Sequence, residues 1–195
     1  EDVENILALR GDDNGTSCGD FKYANELISY VKGNKNFNII AACYPEGHIE
    51  NRDVKLEIDN IERKIECGVT SFISQLFLDN NTYYEFLEEV YKRNIKTKIQ
   101  AGIMPVINAK QMKRITELCG ATIPLKFKKI MEMYENNPEA LTQAGIAYAT
   151  DQIIDLSSSR VDGIHLYTMN NPYVAKNISK NIGKIINSIN EVQNV

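Results

Sequence analysis

Two hydrophobic periods alternate along this chain and predict short buried strands separated by amphipathic helices. The run Ile39-Ile40-Ala41-Ala42-Cys43 is apolar throughout, as expected for a strand that is buried on both faces of a parallel sheet. It ends abruptly in the polar loop 44–48, which contains Pro and Gly. Four further stretches have the same form. The predicted strands are 6–9, 37–43, 70–77, 98–104 and 163–168.

Helical periodicity fills the intervals between the strands. The segment 53–66 shows it most clearly, because apolar side chains recur there at spacings of three and four residues. Glu57, Asn60 and Lys64 form a polar stripe beside that apolar face, which in most helices is a solvated flank. The other predicted helices are 23–32, 82–93, 108–118, two within 123–157 separated near Pro138, and one that begins at Pro172.

Strand and helix alternate along the whole chain, and βα units of this size require parallel strands joined by right-handed crossovers. The fold class is therefore predicted to be α/β. Parallel α/β proteins keep their binding sites at the carboxyl ends of the strands. Polar residues follow every predicted strand here, so the sequence predicts a shared site at that edge. These residues are Arg10 and Asp12, then Tyr44, Glu46 and His48, then Gln75, then Asn108 and Gln111, and last Tyr167 and Asn170.

Composition narrows the class of protein. A length of 195 residues with 43% hydrophobic and 25% charged side chains suits one ordinary globular core, so we expect a single domain over 1–195. The net charge of −4 lacks the basic field that attracts nucleic acid or anionic membranes. No apolar run approaches the ~20 residues of a membrane span. The acidic first residues do not resemble a targeting leader, and we expect a cytoplasmic protein.

Metal chemistry is not expected from this sequence. The only histidines are His48 and His165, and neither lies near a cysteine at the spacing of a metal site. The cysteines are scattered without a paired motif, so we expect reduced thiols. The cysteines are Cys18, Cys43, Cys67 and Cys119.

Five segments, taken together, resemble one known family. The segments are Leu9-Arg10-Gly11-Asp12, Ala41-Ala42-Cys43-Tyr44-Pro45-Glu46-Gly47-His48, Gln75-Leu76-Phe77-Leu78-Asp79, Gly102-Ile103-Met104-Pro105-Val106 and Tyr167-Thr168-Met169-Asn170. In this order they resemble the signature segments of methylenetetrahydrofolate reductase. The resemblance covers the chain from Ile6 to about Ile186.

The resemblance implies a (β/α)8 TIM barrel that holds FAD at the carboxyl ends of its strands. In this family NADH or NADPH reduces the flavin, which then reduces the folate substrate 5,10-methylenetetrahydrofolate to 5-methyltetrahydrofolate. The first predicted strand, 6–9, matches the fourth strand of the family's barrel, so we expect the chain to supply about strands 4 to 8 of a partial barrel. The family's general acid, a Glu on the first strand, is then not expected in this chain. We also expect a homo-oligomer or a complex with a partner subunit.

The family's flavin contacts correspond to residues in the first third of the chain. Arg63 and Lys64 would offer cations to the FAD pyrophosphate or its neighbourhood. Glu57 and Asn60 would bond ribityl or ribose hydroxyls, and Gly11 would let the backbone approach the ring closely. The implied cofactor set is Arg10, Gly11, Asp12, Tyr23, Ala24, Tyr44, His48, Glu57, Asn60, Arg63 and Lys64.

Asp12 resembles the family's carboxylate beside the flavin and the pterin of folate. It would bond folate and, through its charge, disfavour the reduced anionic flavin, whereas a loop Asp that makes a turn is the alternative. Tyr44 would stack on the flavin or the nicotinamide, and a buried structural Tyr is the alternative. The implied folate contacts are Asp12, Gln75, Gln111, Tyr167 and Asn171.

Two positions depart from the family's pattern. Ile115 stands where an aromatic side chain often packs against the aminobenzoate ring of folate, and Asn171 stands where Arg is usual. These departures motivate a second hypothesis, in which the chain is a truncated or diverged barrel. Such a barrel would serve without catalysis as a subunit of a folate or corrinoid methyl-transfer complex.

Overall fold

The computed structural model describes residues 3–9, 11, 20–34 and 37–193, and within these ranges strands and helices alternate as predicted. Every predicted strand and helix is present, so the α/β class is confirmed. The elements are β1 (Asn5–Ala8), α1 (Ala24–Asn34), β2 (Asn38–Cys43), α2 (Val54–Glu66), β3 (Val69–Ser74), α3 (Asn80–Lys92), β4 (Lys98–Ile103), α4 (Ala109–Cys119), α5 (Leu125–Tyr134), α6 (Pro138–Ser158), β5 (Gly163–Leu166) and α7 (Pro172–Gln193).

The five strands form one sheet in the order β1-β2-β3-β4-β5, and every neighbouring pair is parallel. The spatial order follows the chain order, whereas doubly wound sheets reverse it at a switch point. Sequential parallel order is the arrangement found in barrels. The register aligns Ala8 with Ala41 and Cys43 with Ser74, so the loops that follow the strands leave the sheet at one common edge.

Strand β3 ends earlier than the apolar run predicts. The ladder stops at Ser74, although apolar residues continue to Phe77. The backbone pairs one residue further, since the N–H of Gln75 donates to the carbonyl of Cys43 at 2.7 Å. Phe77 then packs in the core, where its ring stacks on Tyr83 with centroids 4.8 Å apart. The apolar run therefore reports burial rather than the length of the strand.

Two hydrophobic clusters cover the sheet. The main core lies between the strands and helices α1, α2, α3, α6 and α7, with Ile58 and Ile61 supplied by the apolar face of α2. A second cluster joins α4, α5 and α6 to the segments that follow β3 and β4, around Phe127 and Met131. Helices α4 and α5 are thus packed beside the carboxyl edge of the sheet rather than against its middle.

Cys43, Cys67 and Cys119 are free thiols, and Cys18 lies outside the described residues. Within the described ranges, no group of three or more His, Cys, Asp or Glu side chains is placed to hold a metal ion. The helices in the same ranges include none that is long and apolar enough to cross a membrane.

Helix α6 approaches the segment after β4 so closely that Gly145 has no space for a side chain. An ideal Cβ at Gly145 would lie 1.7 Å from the carbonyl oxygen of Val106. Because that oxygen belongs to the backbone, a larger residue would force α6 or the loop 104–108 to move. That loop leads directly into α4, so the close approach also helps to place α4.

Gly145→Ala is expected to lower the free energy of unfolding by about 2–3 kcal/mol, since overpacking against the main chain displaces an element. Gly183→Ala in α7 is the matched control, because no atom lies within 4 Å of its ideal Cβ. There the change should be neutral or stabilise the protein by up to about 1 kcal/mol. Denaturant titration measures both variants, and equal midpoints would contradict the close approach.

Candidate functional site

A cavity of about 530 Å³ opens at the carboxyl edge of β1 and β2, among α1, α2 and the loop 44–53. Much of the cofactor set implied by the sequence lines this cavity. These residues come from distant parts of the sequence, and the parallel arrangement of the strands brings them together. Their contact with a flavin stays a prediction. They are Tyr23, Ala24, Tyr44, His48, Glu57, Asn60, Arg63 and Lys64.

The polar stripe of α2 faces the cavity because the helix is fixed by a cap at its first turn and by its buried apolar face. Asp53 caps the first turn, where its side chain accepts from the N–H groups of Lys55 at 2.9 Å and Leu56 at 3.3 Å. The apolar face of the helix packs against the sheet. With that face buried, the spacing of three and four residues turns Glu57 and Lys64 toward the cavity.

Lys64 lies inside the site, with only 13% of its side chain exposed. Its Nζ donates to the carbonyl of Ala42 at 2.7 Å and lies 3.8 Å from Glu57 Oε1. The same ammonium is 5.7 Å from the centroid of the Tyr44 ring, within the range of a cation–π interaction. Lys64 therefore ties α2 to the end of β2 and places a positive charge beside a buried carboxyl group.

Glu57 is a buried carboxyl group, 2% exposed, at the wall of the cavity. Burial raises its pKa to about 7, although Lys64, Asn60 and the backbone of Tyr44 each favour the charged form. Its Oε1 has no hydrogen-bond partner in the part of the chain that the structure describes. A buried acceptor without a donor is costly, and the Lys64 ammonium 3.8 Å away offsets part of that cost.

Arg63 and Asn60 form the outer part of the stripe. Arg63 is exposed, and its Nη1 donates to Asn60 Oδ1 at 3.2 Å. A guanidinium carries five N–H donors. Arg63 therefore retains donors for an anionic ligand at the rim of the cavity. Lys64 has fewer donors left, because its Nζ already bonds to the carbonyl of Ala42.

The loop after β2 presents two aromatic rings to the cavity. Tyr44 and His48 meet edge to face, with centroids 4.8 Å apart. Gly47 between them has a φ of 77°, and an ideal Cβ there would lie 2.6 Å from the backbone of Arg52. The N–H of Gly47 donates to the carbonyl of Tyr44 at 2.9 Å, and that of Arg52 to the carbonyl of His48 at 2.7 Å. The tight loop thus fixes the positions of both rings.

The segment after β1 carries the remaining cofactor predictions. Gly11 has a φ of 82°, a backbone conformation that glycine adopts without strain, and none of the described residues lies within 4 Å of its ideal Cβ. Tyr23 and Ala24 line the cavity where α1 begins. Arg10 and Asp12 lie outside the described residues, so their roles stay predictions.

Gln75 and Tyr167, two of the implied folate contacts, lie at the carboxyl edge but do not line the large cavity. Gln75 Oε1 accepts from the N–H of Leu76 at 2.8 Å. The hydroxyl of Tyr167 donates to the carbonyl of Ser74 at 2.9 Å, and burial raises its pKa to about 12. The ring of Tyr167 fits because residue 102 is glycine, since an ideal Cβ at Gly102 would lie 2.8 Å from Tyr167 Cε2.

Gln111 lines a second, smaller pocket of about 20 Å³ between α4 and the loop after β5, together with Ile115 and Met169. Asn171 lies outside both pockets. Its Oδ1 accepts from the N–H of Val174 at 3.2 Å, so it caps the first turn of α7. Helix capping accounts for an Asn at this position without a ligand.

Among the cavity residues that were not predicted as site residues, three stand out. Asn25 and Asn51 bring side-chain amides to the cavity, and Leu56 adds an apolar surface. Asn51 lies in a loop that follows a strand, a location that does signal function in parallel α/β proteins. Asn25 and Leu56 belong to helices, and no local pattern marked them because the tertiary contact of α1 with α2 creates their role.

The fold and the cavity together define a parallel α/β protein with a candidate ligand site at the carboxyl edge of its sheet. Comparison with known protein families identifies the family to which the chain belongs. The family model described as methylenetetrahydrofolate reductase matches residues 2–183. The chain belongs to this family, and the resemblance drawn from the motifs is confirmed.

Individual relatives agree with this assignment. The chain is 33% identical over 178 residues to the 5,10-methylenetetrahydrofolate reductase of Buchnera aphidicola subsp. Baizongia pistaciae, covering 91% of this chain and 60% of that protein. It is 30% identical over 181 residues to the Escherichia coli protein of the same name, covering 93% and 61%. The chain therefore spans about 60% of the length of these relatives.

A solved structure shares the fold. It is an uncharacterised protein from Clostridium thermocellum, described as binding two copies of 5-methyl-5,6,7,8-tetrahydrofolic acid. The TM-score is 0.60 at 19% sequence identity, and the match covers 83% of this chain and 57% of that one. At this identity the similarity shows the fold alone.

The raised pKa of Glu57 predicts a pH-dependent stability. The carboxyl titrates near 4.5 when unperturbed and near 7 in the folded protein, so the folded state retains a proton that the unfolded chain has lost. Its contribution is fully present below the unfolded pKa and is lost as the pH rises through about 7. The loss amounts to about 3 kcal/mol, at roughly 1.4 kcal/mol per pKa unit.

Glu57→Gln removes this titration, so its free energy of unfolding should decline less than that of the wild type between about pH 5 and pH 8. Denaturant titrations across that range measure the slope. Glu66→Gln is the matched control, because Glu66 is an exposed carboxylate on the same helix. If the free energies of unfolding of the wild type and Glu57→Gln changed equally with pH, the raised pKa of Glu57 would be refuted.

Proposed function

We propose that the complete protein reduces 5,10-methylenetetrahydrofolate to 5-methyltetrahydrofolate, with hydride passing from NADH or NADPH by way of FAD. Membership of the methylenetetrahydrofolate reductase family supports the reaction class. The observation that carries the proposal is the cavity at the ends of β1 and β2, where an aromatic ring, a buried carboxyl group and two cations converge.

The cavity suits part of a flavin dinucleotide in its chemistry. Its volume of about 530 Å³ lies within the usual range of small-molecule sites. Glu57 and Asn60 would bond ribityl or ribose hydroxyls, and the Arg63 guanidinium would contact the pyrophosphate. Tyr44 offers an aromatic face to a planar ring. Lys64 would mainly set the charge beside Glu57, because its Nζ already bonds to the carbonyl of Ala42.

Bound FAD would supply the hydride chemistry, and the protein would bind it, orient it and tune its potential. Asp12 would contact folate and oppose negative charge on the reduced ring. We place the folate at the same edge, near Gln75 and Tyr167, with Gln111 and Asn171 farther along it. A protein of the same fold is described as binding 5-methyltetrahydrofolic acid, which supports a folate as the substrate.

We also propose that these five strands are about strands 4 to 8 of a (β/α)8 barrel. Sequential parallel order supports this arrangement. Among the described strands, β1 and β5 each have one neighbour in the sheet, so each retains an open edge for a further strand. The shared fold with a longer protein, of which this chain covers 57%, is consistent with additional βα units.

The experiment that tests the reaction is anaerobic spectroscopy of the complete protein. It should purify with a flavin spectrum, bleach when NADH or NADPH is added, and recover its colour when methylenetetrahydrofolate follows. Bleaching reports the reduction of the flavin, and recovery reports its reoxidation by the folate. A spectrum that is unchanged by both nicotinamides would refute the proposal.

Arg63→Gln is expected to weaken FAD binding about tenfold to a hundredfold, because a charge-assisted hydrogen bond to phosphate contributes about 1.5–3 kcal/mol. Titration of the flavin-free protein with FAD, followed by flavin fluorescence, measures the affinity. Lys55→Gln is the matched control, since Lys55 is an exposed cation on the same helix that does not line the cavity. Equal affinities of the two variants would remove Arg63 from the site.

The second candidate function is a subunit without catalysis in a folate or corrinoid complex. It is favoured by Ile115, which cannot stack on a ring, and by Asn171, whose side chain caps α7. The two functions differ in one measurement. A protein of this second kind binds folate and gives no flavin spectrum, whereas the reductase binds folate and also gives a flavin spectrum.

A further inference from the structure

A hydrogen-bonded contact joins the loop after β2 to the connection between α4 and α5. The Glu46 carboxylate accepts from the backbone N–H of Thr122, at 3.0 Å to Oε1 and 3.1 Å to Oε2. The Thr122 hydroxyl donates to the same carboxylate. The two residues are 76 positions apart in sequence. We call this contact the Glu46–Thr122 clasp.

A second contact between the same two segments lies next to the clasp. Gly120 ends α4 in the left-handed conformation, with a φ of 76°. An ideal Cβ at Gly120 would lie 3.3 Å from Arg52 Nη2 and 3.5 Å from Ile49 Cγ1, so residues of the loop 44–53 pack against the end of α4. The clasp is therefore part of an interface rather than an isolated surface bond.

Each side of this interface carries a different part of the candidate site. The loop 44–53 presents Tyr44 and His48 to the large cavity, and its own backbone bonds make it rigid. Helix α4 presents Gln111 and Ile115 to the smaller pocket. A helix of 11 residues has little stability of its own, so its position depends on its packing and on the contacts at its ends.

We propose that Glu46 and Thr122 are positioning residues, which hold α4 and the folate contacts it carries at a fixed distance from the cofactor cavity. This inference rests on the proposed function. Neither side chain lines the large cavity or the smaller pocket. They act by keeping the two binding surfaces in register, because small misplacements of a substrate strongly affect reaction rates.

Thr122→Val in the complete protein removes the hydroxyl donor and keeps the volume of the side chain. The KM for methylenetetrahydrofolate should rise about tenfold, which corresponds to about 1.4 kcal/mol. The rate at which NADH or NADPH reduces the flavin, measured with an artificial electron acceptor, should stay at the wild-type value. Thr122→Ser retains the hydroxyl and should restore the wild-type KM.

Thr142→Val is the matched control, because among the described residues the Thr142 hydroxyl bonds only within its own helix, to the carbonyl of Pro138 at 2.8 Å. It should leave both rates and the KM unchanged. Glu46→Ala removes the acceptor of all three hydrogen bonds. An unchanged KM in this variant would overturn the clasp proposal, as would an equal fall in both half-reactions, which indicates a merely structural role. A wild-type protein whose flavin is not reduced by either nicotinamide overturns the proposed function, and the clasp proposal with it.

Discussion

The ammonium group of Lys64 joins helix α2 to the sheet at the point where the cavity forms. It bonds to the carbonyl of Ala42 near the end of β2, and it lies beside the buried carboxyl group of Glu57. Burial alone would leave Glu57 neutral, whereas the nearby cation favours its charged form, so the pKa falls close to neutrality. This one contact therefore sets both the geometry of α2 and the charge of the cavity wall.

The loops at the carboxyl edge extend this constraint toward the rest of the site. Gly47 allows the tight turn that places Tyr44 and His48, and Glu46 in the same loop reaches Thr122 beyond α4. The proposed cofactor and folate contacts are thus carried by different elements that share one interface. A site of this kind depends on the relative placement of rigid elements more than on the flexibility of any loop.

The beginnings of helices were predictable because capping is a local interaction. Asn108 accepts from the N–H of Gln111 at 2.9 Å, and Pro138 occupies the first turn of α6, as the sequence indicated. The end of β3 was not predictable. Its apolar run continues past Ser74 because Phe77 is buried in the core, and burial by a strand and burial by a loop look alike in sequence.

The sequence by itself determined the order of strands and helices, the parallel α/β class and the family, because periodicity, caps and motifs are all written in neighbouring residues. It also marked the stripe of Glu57, Asn60 and Lys64. Only the tertiary structure decided that Lys64 is an inner charge, that Asn25 lines the cavity, and that Asn171 caps a helix. These outcomes depend on which distant groups lie within a few ångströms, and no local pattern in the chain carries that information.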